Sequence, residues 1–485
     1  MKQTRIGKLV CLAAVFCFAA AVASHAQTFT LQDTFTGKDG LLPNGYLAQG
    51  YNGNFYESTG FGGEGQSGNI LEITPAGTLS NLYSFSCEDS ICPNGNYPIG
   101  NLALAPGGHF YGVTFSGTIF DVTPTGKLTT LYSFCTASGC PDGGGPESGL
   151  TLGANGNFYG ATFFGGTGNG GSGGGTMYEV TPTGTVTTLY NFCVLANCTD
   201  GENPHATLVQ GTNGSIYGTT YWGGTHNSGT VFEYTPAGKL ITLYSIVNTP
   251  GATFTAGPLG LVQARDGSIY GFTDYGGKTG NGTIFKISTS GKFSTLYSFC
   301  SQTGCLDGTG PIGLLQGPDG NFYGTTAYGG TGIPACLDGL VACGTIFEMT
   351  PEGNLTTLYN FCLESGCLDG AAVDPMSLGT DGIFYGTTQS GGSTGDGTIY
   401  SFATGLTPFV QANPNFSRVG RAIAILGNGL TGTTSVTING ISATFAVEAD
   451  TLIKATVPTG ATTGTIEVTT TNGTLNSNVA FQVLP

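Results

Sequence analysis

The sequence predicts an all-β fold of seven four-stranded units, on three observations. An F-Y-G-like triplet recurs seven times, in six of them on a D-G or N-G turn, T-P-x-G turns recur between strand-like runs, and apolar residues show no helical period. The recurring tyrosine stands at Tyr56, Tyr111, Tyr159, Tyr217, Tyr270, Tyr323 and Tyr385, spaced by 48 to 62 residues. Such a period suits a propeller blade and exceeds a two-helix solenoid repeat.

The sixth unit shows how each is read. Ile312 to Gly317 is a first strand, Pro318-Asp319-Gly320 turns, and Asn321 to Thr326 is the second, because Asp-Gly supplies the positive φ of a tight hairpin. Gly344 to Thr350 and Asn354 to Phe361 follow as third and fourth strands. Thr350-Pro351-Glu352-Gly353 turns between them, as do the T-P-x-G runs at 74–77, 123–126, 181–184 and 235–238. The seventh unit ends with its third strand, Gly397 to Phe402, and lacks a fourth. Phe29 to Phe35 resembles that missing strand. The expected architecture is therefore a seven-bladed β-propeller of four-stranded blades closed by the N-terminal strand, which leaves no open sheet edge.

Lys2, Arg5 and Lys8 precede an apolar run from Leu9 to Val22, and Ser24-His25-Ala26 offers a small-x-small cleavage site. Residues 1–26 thus read as a secretory signal peptide, and residues 27–405 as the propeller. Export to the periplasm, cell surface or medium is expected, with no later span long enough to cross a bilayer. Removing those three cations leaves 10 of the 13 Lys and Arg against 29 Asp and Glu, a net charge of −19. Such a surface repels phosphate backbones, so no nucleic-acid partner is expected. The chain has 85 Gly, 11% aromatic and 9% charged residues; the aromatic content separates it from disordered chains and the glycine content from helical domains.

Residues 406–485 alternate differently. "AILGNGL" at 424–430, "VTINGISATF" at 436–445, "ATVPTGATTGTIEVTTTNG" at 455–473 and "VAFQVLP" at 479–485 read as strands of a small immunoglobulin-like β-sandwich without Cys, His or Trp. This segment resembles an IPT/TIG domain. Over residues 28 to 402, G-T-I-F-x-x-T-P-x-G-x-x-T-T-L-Y-x-F and D-G-N-F-Y-G-T-T resemble the choice-of-anchor tandem-repeat GloVer family of bacterial exported proteins. That resemblance implies a repeat architecture with a surface destination and supplies no catalytic residues.

Twelve cysteines remain after residue 26. Ten form C-x4-C pairs: Cys87/Cys92, Cys135/Cys140, Cys193/Cys198, Cys300/Cys305 and Cys362/Cys367. Cys336/Cys343 is the sixth pair, and the fourth unit has none. A zinc site needs its ligands at one point, and a redox motif is normally C-x-x-C in a single copy, so six local disulfides are expected in an oxidising compartment. Every pair falls in a unit-to-unit or second-to-third link. In a four-stranded blade those links share one face, and the tight turns share the other. The stapled face is the expected working face.

On that face, just before a G-G, stand Phe61, Phe164, Trp222, Tyr275 and Tyr328, with Ser116 and Ser390 in the remaining units. They are candidates for stacking on sugar rings or peptide side chains, against packing between blades. Asp142, Asp200, Asp307 and Asp369 each follow a cysteine pair and precede Gly, with Asp39 in a related position. Turn formation is the first reading of these aspartates; Ca²⁺ ligation and acid/base work are the alternatives. No nucleophile-elbow, phosphate-loop or zinc-protease motif is present. The expectation is a non-catalytic binding or scaffold protein engaging glycan or a surface protein, with no cofactor beyond Ca²⁺; the alternative is a polysaccharide hydrolase or lyase using carboxylates of the loop face.

Overall fold

The computed structural model describes residues 27–89, 91–168, 173–247, 257–331, 343–363 and 365–485. The signal-peptide expectation and Cys336 lie outside these residues. Among the described residues the repeat region consists of seven antiparallel sheets in a four-strand pattern. They are numbered here in chain order. Sheet 2 shows the plan: Pro98–Leu104, Phe110–Thr114, Thr118–Val122 and Leu128–Ser133. In sheets 1, 4 and 7 the first strand is split in two, as in Leu41–Pro43 with Ala48–Gln49. Sheet 7 takes its fourth strand from the other end of the chain: Thr28–Thr34 pairs antiparallel with Thr398–Ala403, Phe29 opposite Phe402.

The repeat phrase explains six of the seven sheets. The FYG glycine abuts the ring opposite it on the third strand, and a Cβ on Gly112 would come within 2.4 Å of Phe120. The glycine is required by close approach. Beside it a buried pair of threonines, such as Thr220 and Thr230 at 2.9 Å, joins second and third strands through their hydroxyls. The FYG tyrosine reaches the next sheet: Tyr56 packs on Phe110, Tyr111 on Phe158, Tyr270 on Phe322 and Tyr323 on Phe384, with centroids 4.2 to 4.8 Å apart and the rings inclined by 25° to 41°. Each such pair is worth about 0.5–1.5 kcal/mol beyond area burial. The same ring contact joins Tyr385 of sheet 7 to Phe55 of sheet 1, at 4.2 Å.

A second contact repeats in the same way. Glutamine side chains near the ends of first strands accept from a turn N–H of the preceding sheet: Gln210 from Ala154, Gln263 from Thr212, and Gln316 from Arg265. Gln49 of sheet 1 likewise accepts from Thr380 of sheet 7, at 3.1 Å.

Residues 411–484 form a separate sandwich. One sheet holds Gln411–Asn413, Ala422–Leu426, Leu452–Thr456 and Thr444–Ala449; the other holds Ile441–Ser442, Ser435–Ile438, Ile466–Thr470 and Gly473–Asn476. Between them Val410, Ile425, Val436, Ile453, Val468 and Phe481 form a buried apolar core. This module docks on the face of the tight first-to-second turns. Asn413 donates to Leu104 O, Thr451 to Tyr51 O and Asn428 to Thr380 Oγ1. Arg265 donates through Nε to Asn478 O at 2.7 Å and through its terminal nitrogens to Pro318 O and Gly317 O.

Candidate functional site

Two opposite faces follow from the strand alternation, and the module covers one. Beneath it lies a cavity of about 620 Å³ whose walls draw on the first-strand region of every one of the seven sheets and on Phe409, Asn413, Phe416 and Asn478 of the C-terminal segment. Tyr46 lines it too. Its hydroxyl accepts from Leu314 N at 2.9 Å, linking sheet 1 to sheet 6, and burial pushes the phenol up to about 12. The opposite, stapled face carries the candidate site.

Five C-x4-C pairs are disulfides: Cys87–Cys92, Cys135–Cys140, Cys193–Cys198, Cys300–Cys305 and Cys362–Cys367. Cys343 is disulfide-bonded as well. In the last four of these pairs both cysteines adopt positive φ, between 47° and 59°, a region L-residues rarely enter. The staple holds a tight loop open around one carboxylate. Asp307, fully buried, accepts from Tyr297 Oη at 2.7 Å, Ser301 N at 2.9 Å, Ser301 Oγ at 2.8 Å and Gln302 N at 3.2 Å. Asp200 accepts from Tyr190 Oη, Val194 N and Leu195 N. Asp142 accepts from Tyr132 Oη and Cys135 N, and Asp369 from Tyr359 Oη and Cys362 N. Each aspartate meets hydroxyl and amide donors of its own unit, the surroundings of an anchored anion. Sheet 1 differs: Asp39 accepts from Thr36 Oγ1. Asn94 occupies the position in the second loop, donating to Tyr83 Oη at 2.7 Å. Cys193, Cys198 and Glu202 also lie within metal-ligand distance of one another, but the two sulfurs are bonded to each other, which removes them as thiolate ligands.

The aromatic candidates all stand at or just past the ends of second strands. Phe61, Phe164 and Tyr328 are 42%, 44% and 50% exposed, so a large part of each ring is open to solvent. Trp222 and Tyr275 are half-buried. Phe164 lies over the backbone of Gly144 and Gly145, Tyr328 beside Gly310, and Phe61 against Tyr97 with centroids 4.6 Å apart. Trp222 meets Tyr221 edge-on at 5.2 Å. They are distributed one per sheet around the face, in sheets 1, 3, 4, 5 and 6.

A second set is not legible as a motif, because it lies at positions where the repeat does not repeat. The residue after the first-strand proline, or after its Val373 counterpart, is Asn44, Ile99, Glu147, His205, Leu259, Ile312 and Asp374 in sheets 1 to 7. Glu147 and His205, neighbours in this series, face each other at 3.3 Å between Oε2 and Nε2. The imidazole packs against Phe163 and Tyr221, at 6.1 and 5.8 Å. Burial raises Glu147 to about 7 and lowers His205, so desolvation favours the neutral form of each. On the next sheet burial, opposed by the Tyr275 N–H, raises Asp274 to about 7. Two carboxyls raised toward neutrality, Glu147 and Asp274, thus stand on sheets 3 and 5, with the buried imidazole of His205 on sheet 4 between them in chain order. Variation inside a strict repeat was the signal for them.

Fold and site together define a disulfide-stapled, all-β repeat protein of the kind found in extracellular or periplasmic locations. The Gloeobacter/Verrucomicrobia repeat model matches residues 15–193, 113–333 and 170–400, and the IPT/TIG domain model matches residues 409–483. The chain belongs to the Gloeobacter/Verrucomicrobia repeat family and carries a C-terminal IPT/TIG domain. No curated protein matches it. Solved structures similar to it include a fungal alcohol oxidase of the AA5 family in complex with copper, at 16% identity and a TM-score of 0.48 over 90% of this chain and 96% of that one. PorZ, a surface component of the type-IX secretion system of Porphyromonas gingivalis, aligns at 16% identity and 0.47 over 89% of this chain and 58% of its own. The WD40 β-propeller domain of Doa1 aligns at 12% and 0.45 over 78% and 97%. Among the described residues no helix is long and apolar enough to cross a membrane.

Proposed function

We propose that this chain is an exported, non-catalytic binding protein: a closed seven-bladed propeller whose stapled face engages a glycan or a surface partner, with the IPT/TIG module sealing the other mouth. The ring is supported by three contacts that treat sheets 7 and 1 as ordinary neighbours: the Tyr385–Phe55 ring contact, the Gln49–Thr380 hydrogen bond and the pairing of Thr28–Thr34 with the last sheet. A cavity walled by all seven sheets fits the same reading.

The observation that carries the functional reading is the union, on the uncovered face, of half-open aromatic rings with the Glu147–His205 pair. Flat aromatic faces stack on sugar rings, and neighbouring polar groups orient hydroxyls. The test is binding of the oxidised mature protein to a broad polysaccharide panel, with Trp222→Ala and His205→Ala in parallel and product release assayed in the same wells. Binding weakened at least tenfold by either variant, without product, supports the reading; binding to no glycan turns it toward a protein partner. A second reading, a polysaccharide-active enzyme, draws on the tuning of Glu147 and Asp274 near neutrality, where a proton donor works best. Product lost in Glu147→Gln would replace the first reading with this one.

A further inference from the structure

Sheet 1 breaks the F-Y-G rule: its triplet is Phe55-Tyr56-Glu57. The opposite third-strand residue breaks its rule too, being Leu71 where the other sheets have Phe or Tyr. The smaller Leu71 vacates the space that forces glycine elsewhere, and Glu57 fills it. Glu57 is 1% exposed. Against it, from sheet 7, comes Asp374, 3% exposed, at the variable position after Val373.

The hydroxyl of Thr387 stands between the two, 3.0 Å from Glu57 Oε1 and 3.3 Å from Asp374 Oδ2, and it has one proton to give. Gln389 donates to Asp374 Oδ1 at 2.8 Å. Glu57 Oε2 is buried without a hydrogen-bond partner, and so is the hydroxyl of Tyr400, which lies in the field of both carboxylates. Neither acid makes an ion pair with a Lys, Arg or His among the described residues. Two buried carboxylates with two hydrogen-bond donors between them require neutralisation from elsewhere.

We propose that Glu57, Asp374 and Thr387 form a cation site at the junction of the first and last sheets, taking Ca²⁺. The donors are all oxygen, which selects a hard ion. Charge balance selects a divalent one, since two carboxylates and one dication leave no net charge buried, whereas a monovalent ion leaves one. Glu57 belongs to the first sheet and Asp374 to the last, so an ion held between them ties the two ends of the repeat together. Burial pushes both acids well above their ordinary range when no ion is bound, Asp374 also raising Glu57 by its charge, so protons compete for the site.

The experiment is thermal unfolding of the full, oxidised chain at pH 7.5, titrated with CaCl₂ from a chelated start, with MgCl₂ at matched ionic strength to account for screening on so acidic a surface. The expected result is a Tm that climbs by several degrees and keeps rising with the logarithm of Ca²⁺ concentration, as mass action requires, with a smaller response to Mg²⁺. Glu57→Gln removes the difference between the ions, and Glu352→Gln, on an exposed turn, keeps it. Direct calorimetric titration of the unaltered protein reads the same site without a variant. Equal responses to Ca²⁺ and Mg²⁺, or no calorimetric binding, overturn the proposal. So does a wild-type stability that is indifferent to Ca²⁺ and falls as pH rises from 5 to 8 while Glu57→Gln does not follow, because the pair then holds protons instead of an ion.

Discussion

Replacing Asp307 by alanine tests whether the repeated aspartates are anchors. The side chain is fully buried and serves four donors: a phenol, a hydroxyl and two backbone amides. Removing it strands those donors in a loop closed by Cys300–Cys305. Deleting one partner of a buried charged network costs about 3–5 kcal/mol. Asp142, half-buried, serves only Tyr132 Oη and Cys135 N, and its removal costs about 1–2 kcal/mol. The assay is urea unfolding under non-reducing conditions, followed by tyrosine fluorescence, with the slope checked so that a midpoint shift reports stability. Three outcomes refute the reasoning: a loss below 1 kcal/mol for Asp307→Ala, equal losses for the two variants, or a Ca²⁺-dependent stabilisation that disappears in Asp307→Ala, which makes the carboxylate a ligand.

Other expectations are as direct. The double variant Cys193→Ser/Cys198→Ser loses about 2 kcal/mol, the loop-closure cost for a bridge this short, read as a lower urea midpoint with little change in strand signal. Tyr46→Phe deletes the hydroxyl that accepts from Leu314 N and costs about 1–2 kcal/mol, again from the urea midpoint. Asp274 has its folded pKa raised to about 7 by burial, so its contribution to stability is full below the unfolded value near 4 and is lost as pH climbs toward 7. Asp274→Asn accordingly flattens the fall in stability between pH 4 and 7 seen in the parent, measured by denaturant titration at each pH.

Local regularity made much of the fold readable. Each FYG glycine, T-P-x-G turn and Thr pair performs one short-range task, so its identity is dictated by neighbours a few residues away and recurs in the text. Strand runs such as Ile312 to Gly317 and Asn354 to Phe361 accordingly overlap Thr309–Gln316 and Leu355–Asn360. The repeated aspartates were visible for the same reason, although their partners were not: Tyr297 and Ser301 become an anion cradle only when the cysteine loop folds back over them. The positions of Trp222 and its counterparts are readable from the repeat, whereas nothing in the spacing of 147 and 205 announces that Glu147 and His205 meet, and nothing local marks the burial of Asp274.

The sequence by itself determined the all-β class, the period, the local disulfide pairs and the second domain, because hairpins, tight turns and C-x4-C staples are settled within a few residues. Tertiary structure alone decided which variable residues meet. Glu57 and Asp374 are 317 positions apart and touch one hydroxyl, His205 finds Glu147 across a sheet boundary, and the C-terminal module lands on the turn face through Arg265 and Asn478. Such contacts arise from the stacking of one sheet on the next, a long-range packing that no local pattern encodes.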